Sequence, residues 1–290
     1  MNWDNEAEKI IENIPLPPIM GRFARMDAER RALQRGLDTV SVAVAKVVEK
    51  GYERVFGKEA TAMVRAMSNG EDVDLPYEFF EEDDDELFKI EICPAKFGAC
   101  TAEKREMIKN ILPPLRAKLK SLDTTNIILR KALTPLMSHH VFRIAIIGCP
   151  NCCMSPYFSD IGLICAFRPG LREEGCEQCE LCVRGCAEGA IILENGQPVI
   201  DAERCIDCGE CITACPKDVI VTAQKGYKVV AGGTGSRHPQ LAATVSEFTD
   251  LEGVLGIVEN AVSMVREYPR DKKEISFHEM IRREGAKSLA

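Results

Sequence analysis

The sequence predicts a mixed α+β chain: a helical N-terminal domain, then a larger part of α/β type interrupted by a cysteine-rich insertion. Three observations lead there. Apolar residues in the first seventy positions recur at three-to-four spacing. Beyond residue 85, β-rich runs alternate with helical patterns. Eight of the fourteen cysteines fall within forty residues, Cys176 to Cys215.

Taken in order, Ile10, Ile11 and Ile14, and later Leu37, Val40, Val44, Val47 and Val48, mark the helices of residues 1–70, with IPLPP breaking the first. The acidic run EEDDDE (81–86) belongs to a solvated linker over 71–88, because like charges repel and keep a segment extended. KIEIC (89–93) is a short strand, and TAEKREMIKNILPPLRAKLKSL (101–122) predicts helices interrupted at Pro113-Pro114. VFRIAIIG (141–148) is a buried strand, Asp160–Ala166 a second and YKVVAGG (227–233) a third. LEGVLGIVENAVSMVREY (251–268) returns to helical spacing.

At 290 residues, 46% hydrophobic and 28% charged, the chain is long enough for one large or two smaller cores. The acidic start MNWDNEAEKI lacks the basic and apolar regions of a secretory signal. No apolar run reaches membrane-spanning length, VSVAVAKVV (41–49) being broken by Lys46. A cytoplasmic location without membrane attachment is therefore expected, where crowded cysteines bind metal more often than they pair. A net charge of -8 argues against nucleic acid as partner. That charge is unevenly spread: Gly170–Asp218 carries four basic against eleven acidic residues, and Glu103–Arg143 nine basic against three acidic.

Cys176, Cys179, Cys182 and Cys186 follow C-x2-C-x2-C-x3-C, and Cys205, Cys208, Cys211 and Cys215 repeat it, with Pro216 directly after. Three thiolates from one tight loop cap three corners of a cubane, while the fourth reaches the other cluster. The expected ligand sets are thus Cys176, Cys179, Cys182 and Cys215 for one 4Fe-4S cluster, and Cys205, Cys208, Cys211 and Cys186 for the second. Structural zinc prefers two separated ligand pairs. The segment resembles bacterial two-cluster ferredoxins, with Ala187 where the second run has Pro216. Electron transfer is the implied work, and the acidic surface suits a basic redox partner.

Cys93 and Cys100 form C-x6-C, and Cys149 and Cys153 form C-x3-C inside GCPNCC (148–153). Together with HHVFRIAIIGCPNCCMSPYFSDIGLI (139–164) and GYKVVAGGTGSRHPQLA (226–242), they resemble the siroheme-dependent sulfite and nitrite reductase family. The resemblance implies a sulfite/nitrite reductase-type α/β domain at 89–168 and 226–290, with the two-cluster ferredoxin domain inserted at 169–225, as in several dissimilatory and anaerobic sulfite reductases. It implies a third 4Fe-4S cluster on Cys93, Cys100, Cys149 and Cys153, with Cys153 bridging to siroheme. Cys152 and Cys165 fall outside every ligand set and are expected to be buried, inert thiols. C-x6-C is one residue longer than the family's commonest spacing, and the family's usual first half is absent. Residues 1–50, with Trp3, Ile14-Pro15, Arg22 and Arg25, instead resemble the small helical domain of a light-independent protochlorophyllide reductase subunit.

Siroheme carboxylates and an anionic substrate need cations to offset desolvation. The basic stretch offers Lys96, Lys104, Arg105, Lys109, Arg116, Arg130, Lys131 and Arg143, together with Arg237 and His238. Lys96, Lys104 and Arg237 are the expected substrate cations, and Arg105, Arg143 and His238 the expected cofactor neighbours. His139 and His140 are expected to be structural. The expected function is sulfite or nitrite reduction with electrons passing through three clusters to siroheme. The alternative is a three-cluster electron-transfer subunit without siroheme that serves a partner reductase. An oligomer or partner subunit completing the site fits either.

Overall fold

A computed structural model describes residues 1–14, 18–52, 66, 86–97, 100–132, 138–269 and 275–290. The helical expectation for 53–65 and 67–70 and the linker at 71–85 lie outside the described residues. The chain divides into two compact units, Met1–Tyr77 with Ala95–Arg105, and Glu78–Pro94 with Glu106–Ala290.

In the first unit, helices Asn5–Glu12 and Pro18–Gln34 and a helical stretch at 42–52 enclose a core of Ala7, Ile11, Ala24, Ala28, Ala32, Val44 and Val48. Asp4 caps the first helix by accepting from the Glu6 amide at 2.8 Å. Ala24, Ala28 and Ala32 repeat every four residues, giving one helix face a smooth surface that neighbours approach closely. Two-residue strands β1 (Asn2–Trp3) and β2 (Thr39–Val40) pair in parallel. The Trp3 indole donates to Glu29 at 3.0 Å, and the Arg25 guanidinium lies 4.5 Å from the indole ring centre.

The second unit is built on a five-stranded sheet in the order β3 (Phe88–Ile92), β4 (Phe142–Ile147), β5 (Ile161–Leu171), β8 (Ile220–Ala231), β9 (Ala243–Thr249). β3, β4 and β5 run parallel, while β8 and β9 add antiparallel. Ile144, Ile146, Ile161, Leu163 and Val229 are fully or almost fully buried, as strands covered on both faces require. Helices Ala102–Ser121 and Thr124–Lys131 make the crossover from β3 to β4. Lys118 pairs with Glu259 at 2.7 Å, tying the first of these to helix Leu251–Glu267. Among the described residues no helix is long and apolar enough to cross a membrane.

The expected break at Pro113-Pro114 is corrected: Ala102–Ser121 is one helix through both prolines. Proline normally costs a backbone hydrogen bond and a clash one turn back. Here Ile108, Ile111, Leu112, Leu115 and Leu119 are all fully buried on one stripe spanning the site, so core packing holds the helix across it. Strand β9 and helix Phe277–Glu284 were not expected from the sequence. β5 and β8 are longer than expected and pair from Ile161↔Ala231 out to Leu171↔Ile220, with a bulge at Arg168/Pro169. At the near end of this hairpin Gly232 has φ +83°, and a Cβ on Gly233 would lie 2.1 Å from the Tyr157 carbonyl oxygen. Only glycine permits so close a crossing.

The far end of the hairpin carries the cysteine-rich block. Short helices Leu181–Gly185 and Glu210–Ala214 pack together there, beside the hairpin β6 (Ile191–Glu194) and β7 (Gln197–Ile200). Its small core is Cys182, Ile191, Cys211 and Ile220.

Candidate metal centres

The two halves of the cysteine-rich block repeat at an offset of twenty-nine residues in backbone geometry as well as in sequence. Left-handed residues recur at Gln178 and Asp207, Glu180 and Gly209, and Gly189 and Asp218. In each half two of these left-handed residues turn the chain between the first cysteine and a one-turn helix, whose second residue is the third cysteine, Cys182 or Cys211. The fourth cysteine ends that helix, and its sulfur accepts a backbone hydrogen bond four residues on: Ala190 N–H to Cys186 Sγ, and Val219 N–H to Cys215 Sγ, both at 3.3 Å.

The fourth cysteines cross over. One cavity is bordered by Cys176, Cys179, Cys182 and Cys215, with Leu193, Pro198 and Ile220 as apolar walls. The Cys182 thiol is pushed up by burial and then by Cys215 and Cys176. Burial, followed by the charges of Cys208 and Cys205 and then Cys186, pushes the Cys211 thiol up to about 12. Cys215 moves the other way, because the amides of Ile220, Lys217 and Val219 outweigh its burial. Buried thiols that raise one another's pKa cannot all ionise unaided. A bound cation replaces their protons, so such sets are chemically fitted to metal. Among the described residues no three His, Cys, Asp or Glu side chains close on a point as a single ion would need. All fourteen cysteines are free of disulfides.

At the sheet, Cys93 follows β3 and Cys149 follows β4, both buried at the carboxyl ends of parallel strands. The Cys93 amide donates to Ile146 O at 3.1 Å, and its Sγ accepts from Gly148 N–H at 3.4 Å. Cys152, expected to be buried, is only half-buried because it sits in a left-handed turn with φ 47°, and its thiol is pushed up by partial burial and by Cys149, Cys153 and Cys93. These four are therefore gathered, with Cys153 exposed at the rim. Cys100 belongs to the other compact unit, where its carbonyl accepts from Arg105 Nη1 at 2.7 Å. Cys165 is buried within β5.

The expected cations are divided between the two compact units, Lys96, Lys104 and Arg105 in the first and Arg143, Arg237 and His238 in the second. Lys104 and Arg116 are buried. Lys96 lies in the one-turn helix Pro94–Phe97, and its side chain is outside the described residues. Arg143 starts β4, and Arg237 and His238 are exposed on the loop after β8. All three stand at the opposite end of the sheet from Cys93 and Cys149, a separation of roughly 20 Å at ~3.3 Å per residue. Sequence reasoning missed Asp160, whose Oδ2 accepts from the Arg143 amide at 2.8 Å and whose carboxyl burial pushes up to about 7. Its one signal is its position directly before β5.

Residues 129–289 match the family described as the nitrite and sulphite reductase 4Fe-4S domain. The chain is similar to the dissimilatory-type sulfite reductase subunit beta of Archaeoglobus fulgidus, 31% identical over 36% of this chain and 31% of that one. It is also similar to the coenzyme F420-dependent sulfite reductase of Methanocaldococcus jannaschii, 29% identical over 33% of this chain and 16% of that one. Pyruvate synthase subunit PorD of the same organism is 42% identical over 20% of this chain and 70% of its own length. A crystal structure of dissimilatory sulfite reductase I aligns over 51% of this chain and 41% of its own, at 18% identity and a TM-score of 0.37. The chain thus spans less than a third of the Archaeoglobus fulgidus and Methanocaldococcus jannaschii sulfite reductases. With more than half its length inside the matched region, the chain belongs to the nitrite and sulphite reductase 4Fe-4S domain family.

Proposed function

We propose that the chain is an iron-sulfur oxidoreductase of sulfite reductase type, nitrite being the second candidate substrate. In this reading two ferredoxin-type clusters feed a third 4Fe-4S cluster coupled to siroheme. The crossed sets of mutually repelling thiols, in a member of this family, carry the reading. Cys176, Cys179, Cys182 and Cys215 would hold one cluster, Cys205, Cys208, Cys211 and Cys186 the second, and Cys93, Cys100, Cys149 and Cys153 the third. Exposure at the rim suits Cys153 to face siroheme. When bound, these groups supply stepwise electron storage and the metal chemistry of reduction.

The chain's own contribution is to position the sulfurs and set their electrostatics. Amides of Gly148, Ala190 and Val219 donate to cysteine sulfurs, which stabilises negative charge there and raises the affinity of a bound centre for an electron. Cys182 and Cys211 are buried in the small core, which excludes water on that side, while Cys179 is exposed and offers an edge to a donor protein. Lys96 and Lys104 are the cations assigned to anionic substrate and Arg105 the one assigned to the cofactor; Arg143, Arg237 and His238 are set apart by their place on the sheet.

A second reading has its own support. Matched relatives include subunits of larger redox enzymes, and the chain spans 31% of the archaeal reductase subunit. On that reading it is a three-cluster electron-transfer subunit, and a partner chain or second copy supplies the rest of the substrate site. Anaerobic purification with a visible spectrum and iron assay separates the two. Haem-type bands with about thirteen irons per chain support the reductase. About twelve irons and only broad thiolate-to-iron absorption sink siroheme, and about eight remove the third cluster too.

A further inference from the structure

A cavity of about 750 Å³ lies outside every cysteine set, at the sheet end where β4 begins and β8 ends. Small-molecule sites typically enclose roughly 300–1,000 Å³, so it is far too roomy for sulfite alone. Three of the chain's four histidines line it: His139 and His140 from before β4, and His278 from a helix well over a hundred residues later. The His139 and His140 rings lie 4.2 Å apart, and His278 Nε2 sits 3.1 Å from Ser276 Oγ.

The charge of the lining is one-sided. Arg143 and Lys131 contribute cations, Lys131 Nζ being oriented by a 2.7 Å bond to Tyr268 O. The single carboxyl among the described lining residues is Asp160. Its burial favours the neutral form, which leaves the balance positive. Thr234 and Ser236 add hydroxyls from the glycine-rich loop. The other walls are apolar, aliphatic at Ile128, Val265 and Ile275 and aromatic at Phe277, which is buried, and Phe158, which is 47% exposed. A guanidinium, imidazoles and two hydroxyls are the kinds of donor that match a phosphate. Aromatic side chains in the wall match a flat ring system.

We propose that this cavity binds a mononucleotide-sized aromatic phosphate, its ring system against Phe158 and Phe277 and its phosphate toward Arg143, His139 and the Thr234–Ser236 loop. The site is independent of the reductase reading, and either can fail without the other.

The test is equilibrium dialysis of the anaerobically purified full chain, clusters intact, against AMP and FMN, with adenosine, riboflavin and inorganic phosphate as comparators. The expected result is one equivalent of a mononucleotide bound with Kd below ~1 mM, at least about tenfold tighter than its dephosphorylated counterpart. Arg143→Gln and Phe158→Ala should each weaken it about tenfold at unchanged iron content. Phe158→Ala removes an exposed side chain, so it keeps the test open if the arginine variant misfolds. Neither mononucleotide binding below ~1 mM, inorganic phosphate binding equally well, or both variants binding like the parent would overturn the proposal.

Discussion

The cysteine-rich block and the carboxyl end of the sheet solve the same problem, gathering thiols, by opposite routes. In the block every sulfur comes from a forty-residue stretch, and paired left-handed turns at Gln178/Asp207 and Glu180/Gly209 set their directions. At the sheet, Cys93 and Cys149 are fifty-six positions apart and meet because β3 and β4 are neighbours. The block stores its geometry in local backbone conformation, the sheet in strand pairing. Damage should therefore spread differently in the two.

The largest effect is expected from Cys211→Ser. Its sulfur is buried in a core shared with Cys182, so both clusters of the block should suffer. Iron should fall by at least about four per chain, with early proteolysis of the block. Full iron retention would remove Cys211 as a cluster ligand. Cys153→Ser tests the other side: on the proposed reductase reading, loss of this exposed thiol should abolish sulfite reduction while the two ferredoxin-type clusters still give their reduced EPR signals. Parallel loss of those signals would mean that the two regions are not separable.

Asp160→Asn probes the sheet's other end. Its folded pKa of about 7 exceeds the ordinary 3.8, so the folded state binds the extra proton. Stability from this group is full below about pH 4 and falls, by up to ~1.4 kcal/mol per pH unit, until about pH 7. Asparagine keeps an oxygen to accept from the Arg143 amide but does not titrate. The melting temperature of the variant, relative to the parent, should rise from pH 5.5 to 7.5. A constant difference would remove Asp160 as the source. The smallest effect is expected from Lys217→Ala, which deletes an exposed 2.7 Å pair with Glu177 on the rim of the block. Melting and iron content should not move, because water screens such pairs and the amides around Cys215 are untouched.

The same division explains what sequence reading reached. Both cysteine runs, the strands beginning near Lys89 and Val141 and the helix at 251–267 follow from spacing and short-range pattern. β9 was missed because ATVSEFT is a partly exposed edge strand, specified by pairing with β8 rather than by a strong apolar run. The helix across Pro113-Pro114 was misread because a buried stripe assembled from distant contacts overrode local propensity. The scatter of Arg143, Arg237 and His238 away from Cys93 had no local sign, since it depends on which end of each strand meets which loop. His139 and His278 share a cavity for the same non-local reason.

The long β5–β8 hairpin has a consequence for how such a chain could arise. Where the cysteine-rich block leaves the sheet, Leu171 and Ile220 are still paired, and the Arg172 amide donates to Val219 O at 2.9 Å. Entry and exit are thus adjacent strands, about 5 Å apart, held closed whether the intervening loop is two residues or nearly fifty. A single recombination event at this stem could add or remove the entire cysteine-rich block without re-registering the sheet, because insertions are tolerated where their ends already touch.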